Sequence, residues 1–152
     1  MKTLLIAYIS VHHKNTEQVA KVMAEELGAD LASIGQTQPE TLTGYDLIGF
    51  GSGIFYGKFH RTLLQFVEGV HTVTGTRAFI FSTSGDGKVE HHAAFKELLV
   101  SRGFSVVADF SCKAWDSWGP LKLVGGINKG RPNADDLEEA RIFARGLKEK
   151  YT

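Results

Sequence analysis

Three short polar segments of this chain carry residue types that hold anions and flat rings. The first is Ser10-Val11-His12-His13-Lys14-Asn15-Thr16, between an apolar run at Thr3 to Ile9 and an amphipathic pattern from Glu17 to Leu27. That position is a helix N-terminus, where unpaired backbone N–H groups and the positive end of the helix dipole favour a phosphate. Ser10, Asn15 and Thr16 add neutral donors. Asn15 or Thr16 equally suits the ordinary task of capping a helix. The second segment reads Gly51-Ser52-Gly53-Ile54-Phe55-Tyr56-Gly57-Lys58-Phe59-His60. Its glycines permit close backbone approach, and its large apolar side chains suit stacking against a flat aromatic ligand or packing under the next helix. The third, Ser82-Thr83-Ser84-Gly85-Asp86-Gly87, offers donors and acceptors to a polar ring edge, and read alone is a turn.

The elements that must position these segments alternate strictly. Strand-like runs fall at Thr3 to Ile9, Leu31 to Ile34, Tyr45 to Gly51, Arg77 to Thr83 and Phe104 to Phe110. Between and after them, apolar side chains recur at three-and-four spacing: Val19, Met23, Leu27; Phe59, Leu63, Phe66, Val67, Val70; Ala94, Phe95, Leu98, Leu99; and Leu137, Ala140, Phe143, Ala144, Leu147. Asn133 followed by Asp136 reads as a cap for the last helix. The pattern predicts an α/β, doubly wound, five-stranded parallel sheet of order 2-1-3-4-5 with helices on both faces. In that order the chain switches direction between strands 1 and 3, so a ligand sits outside their carboxyl ends. All three polar segments lie there.

The 152 residues read as a single domain, 1–152, with no repeat or linker. Hydrophobic residues make up 43% and charged ones 22%, a globular composition, and 17 basic residues balance 17 acidic ones. Zero net charge argues against a nucleic-acid binder. The single cysteine, Cys112, rules out an internal disulfide and fits a cytoplasmic protein, and the apolar run at Leu4 to Ile9 is too short to span a membrane. The adjacent pair His91-His92 is poor metal-ligand geometry, since neighbours on a helix diverge by about 100°, and no metal is expected. Cys112 to Pro132 is long for a connection and contains Trp115 and Trp118, either of which is a candidate cover for a ligand. Its lysines suit solvent, or an acidic partner.

On these residues the chain resembles a short-chain flavodoxin over nearly its whole length. The resemblance implies a bound flavin mononucleotide (FMN) and no catalytic residue of the protein's own. Ser10, His12, His13, Lys14, Asn15 and Thr16 would ring the phosphate. Gly53, Ile54, Phe55, Tyr56 and Gly57 would border the ring on one side, and Thr83, Ser84, Gly85 and Asp86 on the other. The phosphate turn is one residue longer than the family pattern Ser/Thr-x-Thr-Gly-Asn-Thr and is rich in histidine, and Val89 stands where many members carry an aromatic. The first functional reading is an electron carrier between redox partner proteins. The alternative is an FMN-dependent oxidoreductase, either a quinone reductase or a protoporphyrinogen-oxidase-like enzyme, whose loop the segment Gly53 to His60 resembles. A phosphoacceptor domain of the same topology needs acidic residues after strand 1 and an aspartate ending strand 3. The chain has His12-His13 and Gly51-Ser52 there.

Overall fold

Branched apolar runs and three-and-four helical spacing become the strands and helices of a layered α/β structure. This computed structural model describes residues 2–7, 15–55, 57–114 and 129–151, with backbone alone at 4–7. The strands are β1 (Thr3–Ala7), β2 (Asp30–Ser33), β3 (Leu47–Phe55), β4 (Lys58–Phe59), β5 (Arg77–Ser84) and β6 (Ser105–Lys113), and the helices α1 (Asn15–Leu27), α2 (Arg61–Glu68), α3 (Ala93–Ser101) and α4 (Ala134–Tyr151); the expected strict alternation fails between β2 and β4, where only short 3-10 turns intervene. The described strands form one sheet, in the order β2, β1, β3, β5, β6 along its parallel ladders.

Two expectations need correction. The sheet is mixed and holds six described strands, because β4 pairs antiparallel with the end of β3, Ile54 opposite Phe59 and Phe55 opposite Lys58. Gly57, at φ 75°, lies in the two-residue tip between Phe55 and Lys58, a backbone conformation that suits glycine. The glycine-rich segment is consequently strand for most of its length: β3 runs through Gly53 to Phe55 instead of ending at Gly51. Phe59 accordingly lies in β4, and α2 begins only at Arg61.

Helices α1 and α4 cover one face of the sheet and α2 and α3 the other. Residues alternate between the faces along each strand. On the α1/α4 face Phe79 and Phe81 of β5 lie beside Gly49 and Gly51 of β3, their register partners. A Cβ at Gly49 would stand 2.3 Å from the Phe79 ring and one at Gly51 2.1 Å from Phe81, so these glycines make room for the two rings. The opposite face packs Ile48, Phe50, Ile80, Leu63, Phe95 and Leu99. At the start of α4, Asp136 N–H donates to Asn133 Oδ1 (3.0 Å) and Asn133 N–H to Asp136 Oδ2 (2.8 Å), the reciprocal cap expected from their spacing. Among the described residues no helix is long and apolar enough to cross a membrane.

Candidate functional site

Parallel pairing of β1, β3 and β5 brings their carboxyl ends side by side, so the connections that follow them must meet at one edge. At the last rungs Gly53 stands opposite Thr83, and Ser52 opposite Ser82. Thr16, in the first turn of α1, hydrogen-bonds Thr83 through their hydroxyls at 3.0 Å, with both residues buried. This bond joins the start of α1 to the end of β5. Asn15 opens the helix beside it, half-buried.

The β3–β4 hairpin forms the second wall. Ile54 and Phe55 are half-buried, and the Phe55 ring meets His60 edge-on at 5.2 Å. Ser52 holds the hairpin's base: its Oγ accepts the His60 N–H (3.0 Å) and donates to the Gly53 carbonyl (2.6 Å). His60 then caps α2, its Nδ1 accepting the Thr62 N–H at 3.1 Å. Burial pushes the His60 imidazole below its ordinary range, in keeping with a ring that accepts at Nδ1.

After β5 the chain turns on its own side chains. Ser84 Oγ donates to Asp86 Oδ1 (3.1 Å) and accepts the Gly87 N–H (2.9 Å), while the Lys88 N–H donates to Asp86 (3.0 Å). His91 Nε2 reaches both Asp86 oxygens, at 2.9 and 3.0 Å. Partial burial pushes the Asp86 carboxyl up, but the hydrogen bonds from His91, the Lys88 N–H and Ser84 outweigh it and hold the group below the usual carboxylate range. Asp86 is thus an anion at this edge. His91 also stands against the other wall, its Nδ1 3.8 Å from where a Cβ on Gly57 would be.

His92, one residue on, has the opposite fate. Its Nε2 meets Ser82 Oγ at 2.6 Å and its Nδ1 meets Asp109 Oδ2 at 2.9 Å. A neutral ring with its proton on Nδ1 satisfies both partners, donating to Asp109 and accepting from Ser82. Burial lowers its basicity, against the raising effect of Asp109. The order Ser, His, Asp is that of a hydrolytic array. Ser82 is 0% exposed and His92 1%, with Phe59 edge-on to the imidazole at 5.4 Å, so a substrate carbonyl has no path to Ser82. The array instead ties β5, the turn before α3 and β6 together.

Of the predicted site residues, Asn15 and Thr16 open α1, Gly53, Ile54 and Phe55 end β3, Gly57 lies at the hairpin tip, Thr83 and Ser84 end β5, and Gly85 and Asp86 follow it. Ser10, His12, His13, Lys14 and Tyr56 lie outside the described residues, as do Trp115 and Trp118. The Asp86 carboxylate is engaged by its own loop and by His91. Ser52, His60 and His91 were missed as site-shaping residues. His91 carried a signal in its place five residues after Asp86, one short turn away. A separate cleft of about 370 Å³, lined by Leu42, Tyr45, Ile48, Val70, His71 and Val73, opens near the amino end of β3, away from this edge.

The flavodoxin domain family matches residues 5–109. An uncharacterized protein of Methanocaldococcus jannaschii is 44% identical over 145 residues, 94% of this chain and 96% of that protein. Oxidised Flavodoxin 2 from Bacillus cereus superposes with a TM-score of 0.73 at 23% identity, covering 98% of this chain and 99% of its own. A flavodoxin from the domain Archaea gives a TM-score of 0.66 at 17% identity, covering 99% and 98%. The likeness to these two structures is one of fold.

Proposed function

The chain belongs to the flavodoxin family, and on that premise we propose that it binds FMN at the edge formed by β1, β3 and β5 and passes electrons between redox partner proteins. The observation that carries this reading is the meeting of the α1 start, the glycine–aromatic hairpin and the Ser/Thr-Gly-Asp turn, locked by the Thr16–Thr83 bond. The residues fit the group. Hydroxyls and backbone N–H groups at the start of a 13-residue helix suit a phosphate. Gly53, Ile54 and Phe55 present backbone and half-buried apolar surface, which suits a flat ring.

In this reading Ser10, His12, His13, Lys14, Asn15 and Thr16 hold the phosphate. Gly53, Ile54, Phe55, Tyr56 and Gly57 line one side of the ring, and Thr83, Ser84, Gly85 and Asp86 the other. The bound flavin supplies storage and release of single electrons. The protein contributes the half-buried apolar surface of Ile54 and Phe55 and the negative charge of Asp86, which opposes further negative charge beside it.

The test is the absorption spectrum of the purified protein, followed by titration with FMN. Flavin bands or saturable binding are expected, and absence of both would sink the proposal. Replacing Thr83 with valine keeps the volume and removes a hydroxyl of the Thr16 pair; binding should weaken roughly tenfold, one hydrogen bond's worth. Steady turnover of NAD(P)H with a quinone would favour the FMN-dependent oxidoreductase over the carrier.

A further inference from the structure

We infer that His92 is a positioning residue for the flavin ring: its buried imidazole spaces the hairpin wall from the β5 wall and so fixes the slot between them. The inference rests on the flavin reading above and deepens it, since His92 lies outside all three ligand segments. The β3–β5 ladder ends at the rung of Gly53 and Thr83. Beyond it Ile54 and Phe55 pair with β4 instead, so among the described residues no ladder ties the hairpin wall to the β5 wall past that rung. Their separation there depends on side-chain packing. His92 supplies it on both sides: Nε2 meets Ser82 Oγ at 2.6 Å, and Phe59 stands edge-on to the imidazole at 5.4 Å. Ser82 directly precedes Thr83 on β5, and Phe59 is the β4 residue paired with Ile54. The imidazole is thus one step from each wall.

A spacer needs an orientation as well as bulk. Nδ1 donates to Asp109 Oδ2 of β6 at 2.9 Å, which leaves Nε2 to accept from the Ser82 hydroxyl. With both nitrogens engaged and the residue buried, the imidazole is held in one direction. Phe59 is held in turn, stacked on Phe95 of α3 at 4.6 Å with the planes 24° apart. Widening the slot therefore breaks the Ser82 bond or parts the Phe59 contact. The Thr16–Thr83 bond does not duplicate this, since it fastens β5 to α1 and not to the hairpin. His92→Leu fills similar space but fixes no direction. His92→Gln can bring its carbonyl oxygen near the place of Nε2 and accept from Ser82. A slot set in advance binds a flat ring more tightly, because less ordering is left to the binding step.

FMN titration and the visible circular dichroism of the bound flavin test this, with amide hydrogen exchange of the flavin-free protein as a third readout. His92→Leu should weaken FMN binding about fivefold or more, alter the dichroic bands, and speed exchange at Ile54 and Phe59 on one wall and Thr83 and Ser84 on the other. His92→Gln should recover the affinity to within about twofold of wild type. Asp136→Ala, which weakens the protein at α4, is the control and should leave all three readouts as in wild type. If His92→Leu does not fold, Ser82→Ala removes the β5 bond alone and should weaken binding about threefold. Wild-type affinity and dichroism in these variants, an equal loss in Asp136→Ala, or no recovery in His92→Gln overturns the inference while leaving FMN binding intact. A wild-type protein that binds no FMN overturns the proposed function, and the inference with it.

Discussion

Strands β3 and β5 present opposite solutions on their two faces. On the α1/α4 face Phe79 and Phe81 lie against Gly49 and Gly51, and the fit is one of volume. On the α2/α3 face the same strands bury Ile48, Phe50 and Ile80, then carry Ser52 and Ser82, and the fit there is one of partners. Ser52 needs the His60 N–H and the Gly53 carbonyl; Ser82 needs His92, which needs Asp109. The volume-fitted face makes the platform. The partner-fitted face aims the hairpin and the turn that stand above it.

The largest effect is expected where volume decides. Gly51→Val drives a branched side chain into Phe81 and should destabilise the protein by about 3 kcal/mol or more, measured by denaturant unfolding. Adding Phe81→Ala to that variant should recover part of the loss. If the two changes simply add, the ring-over-glycine account of this face is wrong.

On the other face His92→Leu keeps the bulk and orphans two polar groups, at a cost of about 2 to 3 kcal/mol. The pH dependence has a definite sign. Burial leaves His92 and His60 harder to protonate in the folded protein than in the unfolded chain, so the unfolded chain binds more protons. Stability should therefore be flat above the free imidazole value, about 6.5, and fall as pH drops below it. His92→Leu should flatten that fall. An unchanged slope would show that His92 is not the group responsible.

A third, smaller effect belongs to α4. Asp136 is hydrogen-bonded by Arg131 through two guanidinium nitrogens, at 2.6 and 2.5 Å, and by the Asn133 N–H. The Arg131 bonds lead in holding its carboxyl below the usual range. Asp136→Ala should cost about 1 to 2 kcal/mol near neutrality. The gap should persist above about pH 4, the unfolded carboxylate value, and close as pH falls through the lower folded value.

The smallest perturbation is chemical. Cys112 is buried between the sheet and α4, and burial pushes its thiol up to about 12, so alkylation at neutral pH should wait for opening of the structure. Fast labelling of folded protein would mean that this face is looser than its packing.

Much was legible in the residues alone, because local physics writes it there. Alternating branched runs and helical spacing announce parallel strands covered by helices, and Asn133 with Asp136 announces a cap that both residues then make. The three polar segments were identifiable by type, since glycine, hydroxyl and carboxylate side chains have few uses clustered at strand ends. Other features depend on contacts between distant residues. The continuation of β3 to Phe55 depends on β4 folding back against it. The Thr16–Thr83 bond joins residues 67 positions apart, and Asp109 reaches His92 across 17. His91 and His92 were one motif in the chain. The turn after β5 gives the first an exposed carboxylate five residues away, while the second meets the buried Ser82 of β5 and Asp109 from the strand paired with it, so the two neighbours end in opposite surroundings.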